Sequence, residues 1–378
     1  MFTWHDPSIQ KGVTEPNYVC QVTVLRERLN LKQADLARRA GLTRQAINLI
    51  ERGLTVPSVT TALRLAEVLN CSVSDLFQRS KEPQLLPVIV SQSIARSQQR
   101  VRLAEVNGVW VAVPCSTNDL SEYGEADGKL VSREGIHGVV DLINSPDSLK
   151  DNLIVSGCDP ALAILRDLWR RGNHQGIVHW NNLSSGAALN ALRSGEAHVI
   201  GVHFHDMASQ RSALALLPMD VVVIRFARWE QGWMVPQGNP QHFKGIGDLA
   251  SSKIRLINRG EGAGSRLLLD ALLQQAKIPT TKVKNYSKQG STHFACARAI
   301  QEGQADIAIG LRAVAESCNL DFIPIQEVGF DLIIPKVLLD YAPVNRLLDL
   351  IQTNHFRKQL ENLPGYETSE TGKQLALE

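Results

Sequence analysis

Apolar residues recur at helical spacing through the early part of the chain. In VTVLRERLNLKQADLARRAGLTRQAINLIERG, Val22, Leu25 and Leu29 share one face, Leu36, Ala37 and Ala40 a second, and Ile47 and Ile50 a third. Between the second and third stands Ala40-Gly41-Leu42-Thr43. Gly41 suits the left-handed residue that ends a helix, and Thr43 suits the cap of the next. So short a turn makes the two helices cross steeply, which is helix-turn-helix geometry. Arg52-Gly53 and Val56-Pro57-Ser58 punctuate again. Ser58 caps a predicted fourth helix carrying Leu63, Leu65, Ala66 and Leu69, and Cys71–Phe77 closes with a short fifth.

The period then changes. Residues 79–87 are polar, carry Pro83 and Pro87, and read as a linker. VRLAEVNGVWVAVPC alternates on both sides of Asn107-Gly108, which predicts a hairpin with Val101, Leu103, Val109, Val111 and Val113 as strand residues. Residues 85–150 are read as a small β-containing connector. From 151 onward, short apolar strands alternate with helices: 152–155, 177–180, 198–203, 221–224, 254–257, 283–286, 306–310 and 331–334. This order predicts an α/β domain over 151–378 with largely parallel sheets, behind an all-α head over 17–80.

Composition narrows the class. A chain of 378 residues, 44% hydrophobic and 21% charged, is globular and long enough for two or three domains. The net charge is only +2, yet residues 17–80 hold nine basic and five acidic side chains. The positive excess sits on the helical head, where phosphate neutralisation needs it. No apolar run is long enough to span a bilayer, and MFTWHDPSIQKG lacks the order of a signal peptide, so a cytoplasmic location and no membrane partner are expected. Cys20, Cys71, Cys115, Cys158, Cys296 and Cys318 form no C-x-x-C pair and are read as reduced thiols. Neither a cofactor nor a metal is called for.

The head resembles the Cro/repressor-type (xenobiotic-response-element-like) helix-turn-helix family. The matching residues are Gln33, Leu36-Ala37, Ala40-Gly41, Thr43, Ile47, Ile50-Glu51-Arg52-Gly53, Pro57-Ser58, Leu65-Ala66 and Leu69. The resemblance implies that the third helix enters the major groove of double-stranded operator DNA. Arg44 suits a guanine edge, while Gln45 and Asn48 suit adenine. Thr43 caps that helix. Gln33 is expected on a phosphate, with Lys32 and Arg52 as weaker phosphate candidates and Glu51 as a structural residue. Two positions depart: Lys32 replaces the usual Ser or Thr cap, and Asn48 an often-found Ser, so the operator sequence does not transfer. Homodimerisation is expected, since such heads read paired half-sites.

Four strand-to-helix junctions of the large domain are polar and rich in Gly, Ser or Thr. They are 156–159, 181–186, 258–266 and 289–293. Each presents backbone N–H groups at a helix N-terminus, where anions bind. Paired loops of this kind resemble a periplasmic-binding-protein-type clamp. The string NRGEGAGSRLLLDALL, with STHFACARAIQEGQADIAIGLRAVAE and FDLIIPK, resembles the molybdate-binding-like substrate domains found behind helix-turn-helix heads. On that resemblance lobe one is 151–222 and 325–378, lobe two is 223–324, and the segments near Ile224-Arg225-Phe226 and Phe322-Ile323-Pro324 are the hinge. The expected ligand contacts are Ser156, Asp159, Asn182, Ser184, Ser185, Arg259, Gly264, Ser265, Arg266, Thr292 and His293.

Each has a plainer alternative. Asp159-Pro160 can simply cap a helix, as can Ser184 and Ser185, and a carboxylate at 159 repels a bare oxyanion such as molybdate. Arg259 and Arg266 can be solvated. His203 and His205 fall on one side of a strand end, with His198 and His293 as further candidates, but packing in a hinge or pocket is preferred to a metal site. The glycines at 260, 262 and 264 match neither a P-loop nor a dinucleotide fingerprint, and no catalytic triad has motif support, so no enzyme is expected. The sequence thus reads as a transcriptional regulator sensing a small, anionic ligand of molybdate-like or metabolite type. The alternative is a constitutive or architectural repressor whose clamp has degenerated into an assembly element.

Overall fold

The structure is a computed structural model that describes residues 18–79, 83–94, 99–115, 124–172, 174–204, 207–250 and 253–376. The chain divides into two compact units, Met1–Pro83 and Gln84–Glu378.

The first unit holds helices Val22–Arg28, Gln33–Ala40, Arg44–Glu51, Val59–Leu69 and Val73–Leu76. A short antiparallel pair, Tyr18–Cys20 with Phe77–Arg79, joins its ends. Gly41 adopts the left-handed conformation (φ 68°) that ends the second helix. The Thr43 hydroxyl accepts from the Ala46 N–H at 3.1 Å and starts the third. Val22, Leu36, Ala37, Ala40, Ile47, Ile50, Leu65, Leu69 and Leu76 form one buried cluster, so the helical spacing marks the true core face.

The second unit begins with more than a connector. Leu85–Val90, Arg100–Val106, Val109–Pro114, Gly128–Glu134 and His137–Leu142 close into a five-stranded barrel. Asn107 and Gly108 take positive φ (51° and 78°), as the two-residue hairpin turn demands. Val88, Val90, Val101, Leu103, Ala112, Leu130 and Val140 fill the barrel. Ala104, Val106, Val111 and Val113 point the other way, into one core with Ile154, Ala188, Leu192, Ile200, Val202 and Ile333 of lobe one. The alternation around Asn107-Gly108 therefore serves two cores, and the barrel is welded to lobe one.

The rest is a two-lobed α/β domain built on a mixed sheet. Leu153–Gly157 pairs in parallel with Val178–Asn181 and with Val199–His203. The strands Val221–Val235 and Asp321–Pro335, of 15 residues each, pair antiparallel along their whole length. The expectation of largely parallel sheets is corrected here: a chain that crosses to lobe two and returns alongside must run both ways. The segments expected as the crossing hinge both lie on these two strands, but not opposite each other. Ile224 pairs with Leu332, and Phe322 with Met234, so the two expected segments lie at opposite ends of this ribbon. Irregularities at Arg225/Ala227 and Gln231/Gly232 bracket Trp229 in its middle. Lobe two has its own core of Trp233, Phe243, Leu249, Leu256, Leu268, Leu269, Ile307 and Ile309. Its strands are shorter than expected. Residues 283–286 form a turn because Asn285 is left-handed (φ 64°), and the ladder instead joins Asn258–Arg259 to Gln289–Gly290.

Candidate functional site

In the head, Thr43, Arg44 and Gln45 are exposed and Asn48 is half-buried, while Ile47 and Ile50 anchor the opposite side of the same helix. Lys32 and Arg52 are exposed. The second helix starts at Lys32 without a side-chain cap, as the loss of Ser or Thr there implies. Gln33 is engaged internally: its amide donates to Glu51 Oε2 at 2.7 Å, and Arg26 holds Oε1 of the same carboxylate at 2.6 Å. Glu51 thus locks the first three helices together. The expected phosphate contact of Gln33 competes with this bond.

In the large domain, three lobe-one strands end at the site. Leu153–Gly157 delivers Ser156, Val178–Asn181 delivers Asn181, and Val199–His203 delivers His203. All three side chains are buried. Lobe two delivers Arg259 from Asn258–Arg259, Gly264 and Ser265 from the start of Gly264–Gln275, and His293 from the start of His293–Gln301. The lobes touch. Gly186 N–H donates to the Gly262 carbonyl at 3.2 Å, and a Cβ on Gly264 would lie 1.8 Å from His203 Nε2. A groove of about 400 Å³, lined by Ser184, Gly186, Asn190, Arg193, Glu261 and Gly262, opens at this rim.

Trp229 stands at the centre of the cluster. Its ring meets those of His203 (5.4 Å between centroids), His293 (6.2 Å) and Tyr366 (6.2 Å). The Ser185 hydroxyl accepts from the His203 backbone N–H at 3.3 Å, which leaves its proton for His203 Nδ1, also at 3.3 Å. The Cys158 thiol lies 3.9 Å from the same nitrogen. These partners place the ring proton on Nε2, assigned from the network.

Several buried polar atoms of this cluster have no partner among the described residues: Ser156 Oγ, Asp159 Oδ2, Asn181 Oδ1, His203 Nε2, Trp229 Nε1, Arg259 Nε and Nη1, and His293 Nδ1. Buried polar groups are otherwise almost always satisfied. Burial and the Arg259 charge push His203 down to about 4, and the same causes hold His293 well below the usual histidine range. Both rings are therefore neutral. Burial pushes Asp159 up to about 7, against the Tyr366 hydroxyl and the Ala161 N–H that favour its ionised form. Burial also pushes the Cys158 thiol up to about 11, opposed by Arg259, so it is no thiolate nucleophile.

The structure brings Ser156, Asp159, Ser185, Arg259, Gly264 and His293 to this cluster. Other expected contacts are occupied. Ser184 and Thr292 cap their helices through Ala187 and Ala295 N–H groups. Ser265 Oγ accepts from Gln231 Nε2 at 3.0 Å. The Arg266 guanidinium is paired with Asp270 at 3.2 Å and stacks 4.1 Å over Tyr286. Asn182 is half-buried, and its neighbour Asn181 carries the orphaned atom. Among the described residues no His, Cys, Asp or Glu cluster suits a metal, and His205 lies outside them. Trp229 and Tyr366 escaped the sequence reading because neither stands at a polar junction. Trp229 lies within a long apolar strand, and Tyr366 in a polar stretch after the last helix.

A helix-turn-helix family profile matches residues 24–76, and a PBP superfamily domain profile matches residues 167–352. An uncharacterized HTH-type transcriptional regulator of Archaeoglobus fulgidus is 33% identical over 57 residues, covering 15% of this chain and 80% of the relative. The uncharacterized protein YvgK of Bacillus subtilis is 27% identical over 233 residues, covering 60% of this chain and 74% of the relative. A tungstate ABC transporter structure from Geobacter sulfurreducens superposes at a TM-score of 0.42 with 14% identity, covering 55% of this chain and 96% of that one. The chain therefore belongs to the helix-turn-helix transcriptional regulators, and carries a PBP superfamily domain behind its DNA-binding head.

Proposed function

We propose that this chain is a ligand-responsive transcriptional regulator whose two lobes close on a small oxyanion. One observation carries the reading. The Arg259 guanidinium is 4% exposed, and its Nε and Nη1 have no partner and form no ion pair among the described residues. A guanidinium keeps its charge at any physiological pH. Leaving such a charge buried and unpaired costs several kcal/mol, so an anion between the lobes is its natural partner. Neutral His203 and His293, with the Trp229 N–H, add donors without adding charge.

A ligand that bridges lobe-one and lobe-two groups binds the closed form alone and shifts the lobe equilibrium by its differential affinity. Because the barrel shares a core with lobe one, that movement displaces lobe two against a barrel-lobe unit. The anionic class is compatible with phosphate, sulfate, molybdate, tungstate or an organic phosphate. Val56, Val59 and Leu63 are 80%, 77% and 52% exposed on the head, and a second copy of the chain is the occupant proposed for them.

The test is a thermal-shift and calorimetric screen of the full chain against these oxyanions, repeated with Arg259→Met. A stabilising anion whose binding disappears in the variant supports the reading. Equal binding by wild type and variant overturns it. DNA selected in vitro with the purified protein, retested with and without the anion, separates a regulated head from a constitutive one.

A further inference from the structure

In lobe one a recess of about 490 Å³ opens between the helix Asn354–Glu361 and residues 366–369. That is the volume of a small-molecule site. Four charged side chains line it: Arg357, Lys358 and Glu361 from the helix, and Glu367 from the facing segment. Arg357 and Glu361 stand one helical turn apart, where opposite charges ordinarily pair. Here they do not. Glu361 Oε1 takes the Thr368 hydroxyl at 2.8 Å, and Glu367 Oε1 takes the Ser369 N–H at 2.6 Å. Bonds from Ser369 hold the Glu367 carboxyl below its usual range, so it is ionised. Arg357 Nε is buried without a hydrogen-bond partner, and neither Arg357 nor Lys358 forms an ion pair among the described residues. The recess therefore holds opposite charges that do not neutralise each other.

A bare anion entering this space meets the two carboxylates, and a bare cation meets the two basic groups. A molecule that carries both an anionic group and an ammonium satisfies both. We propose that the recess is a second ligand site, for an amino-acid-type zwitterion, and that its occupant acts on the interlobe cluster through Tyr366. The ligand's carboxylate pairs with Arg357 and Lys358. Its ammonium pairs with Oε2 of Glu361 and Glu367, the oxygens that Thr368 and the Ser369 N–H leave over. The site stands independently of any anion at Arg259.

Both walls of the recess are seated on the crossing strand Val221–Val235. Tyr366 and Glu367 pair with Trp229 and Arg228. Phe356, one residue before Arg357, sets its ring 5.5 Å from that of Phe226. Phe226 stands at the irregularity between Arg225 and Ala227, where the ladder is already interrupted. A ligand that draws the two walls together thus acts on the strand at its most yielding point. Tyr366 carries the change inward: its hydroxyl donates to Asp159 Oδ1 at 2.6 Å, and its ring meets Trp229 at 6.2 Å. Asp159 Oδ1 also accepts the Ala161 N–H at 2.8 Å, so movement of Tyr366 reaches the turn that opens the helix Leu162–Arg171. Two sites that bias one shared strand are coupled in both directions.

The experiment is calorimetric titration of the full-length protein with the common L-amino acids, and with acetate and methylamine as the two halves alone. At least one amino acid is expected to bind at millimolar concentration or below, about tenfold or more tightly than either half. Arg357→Met and Glu367→Gln should each weaken it by about tenfold or more. Glu367 is exposed, so its variant keeps the test open if Arg357→Met does not fold. Hydrogen exchange read by mass spectrometry should change over residues 156–162 when the amino acid binds. Acetate binding as tightly as the amino acid makes this a plain anion site and overturns the zwitterion. Binding that survives Arg357→Met but is lost in Arg259→Met places the amino acid between the lobes and overturns the second site. Failure of every amino acid to bind at millimolar concentration also overturns it, while leaving the Arg259 reading untouched. Binding with unchanged exchange over 156–162 overturns the link through Tyr366.

Discussion

The ring of His203 lies against Gly264 so closely that a Cβ there would come within 1.8 Å of Nε2. His203 ends a lobe-one strand and Gly264 begins a lobe-two helix, so this contact exists only while the lobes are together. A methyl at 264 meets a ring that Ser185, Cys158 and Trp229 hold on its other sides. Gly264→Ala is therefore expected to prop the lobes apart. Anion affinity should fall by tenfold or more, while DNA binding by the head persists. His203→Ala in the same background should restore part of the affinity, and the double-mutant cycle measures the coupling. An additive cycle would show that the two residues do not meet during closure.

How much of this was legible beforehand depends on distance along the chain. The head is almost wholly local: helix faces, the Gly41 turn and the Thr43 cap each depend on residues within one or two turns, and all stand as the periodicity predicts. The junction loops were legible for the same reason, since a strand ending in polar residues before a helix is a local signal. What the sequence could not display is long-range pairing. Tyr366 reaches Asp159 across 207 positions, and His198 reaches Glu105 across 93. Arg266 looks like an anion ligand beside its glycines until Asp270, one helical turn on, occupies it. The barrel was hidden because its second hairpin turns at Gly135-Ile136, a weaker signal than Asn107-Gly108. Closure needs Leu85–Val90 to pair with His137–Leu142 across the whole segment.

The head offers two kinds of DNA contact that mutation should separate. Arg44 and Gln45 are exposed at the start of the third helix, and their removal leaves Ile47 and Ile50 in place. Each bidentate base contact is worth about 1–3 kcal/mol, so Arg44→Ala and Gln45→Ala should each weaken specific binding by about fivefold to over a hundredfold. Lys32→Ala and Arg52→Ala should instead weaken all sequences alike and lower the salt dependence by about one ion each. Mobility-shift titrations at several salt concentrations distinguish the two patterns. Identical behaviour of all four variants would remove the third helix from base recognition.

Exposed apolar residues on the head make a second claim checkable. Val59 and Leu63 stand one turn apart on the fourth helix, with Val56 just before it. If a second copy covers them, Val59→Asp with Leu63→Lys should shift the mass in solution from dimer to monomer. The variant should also lose cooperative binding to paired half-sites, with helix content unchanged because both side chains point to solvent. A wild-type protein that is monomeric at micromolar concentration by light scattering would rule out this face as a dimer interface.

The joint between barrel and lobe one gives the last prediction its sign. The Ile154 N–H donates to His198 Nδ1 at 3.1 Å, so the ring's proton is on Nε2, which donates to the Glu105 carbonyl at 3.0 Å. Asn152 runs beside it, donating to the Leu103 carbonyl at 2.8 Å and accepting from Ile177 N–H. Protonation of His198 would cost it the Ile154 bond, and burial pushes the ring down to about 4. The unfolded ring takes a proton below about 6.5 and the native one refuses it until about 4. Its stabilisation is therefore complete above pH 6.5 and lost as pH falls through that window. His203 acts in the same direction. Asp159 acts oppositely: its native carboxyl keeps a proton up to about 7, so its contribution is present below about pH 4 and lost as pH rises to 7. His198→Leu removes both bonds and leaves the buried Ile154 N–H and the half-buried Glu105 carbonyl without them, at about 1–3 kcal/mol for the buried group. Urea denaturation should show the variant several kcal/mol less stable at pH 7.5, with the gap narrowing toward pH 4.5 as the wild type loses its advantage. A gap that stays constant across that range would mean that His198 acts by packing alone and carries no proton linkage.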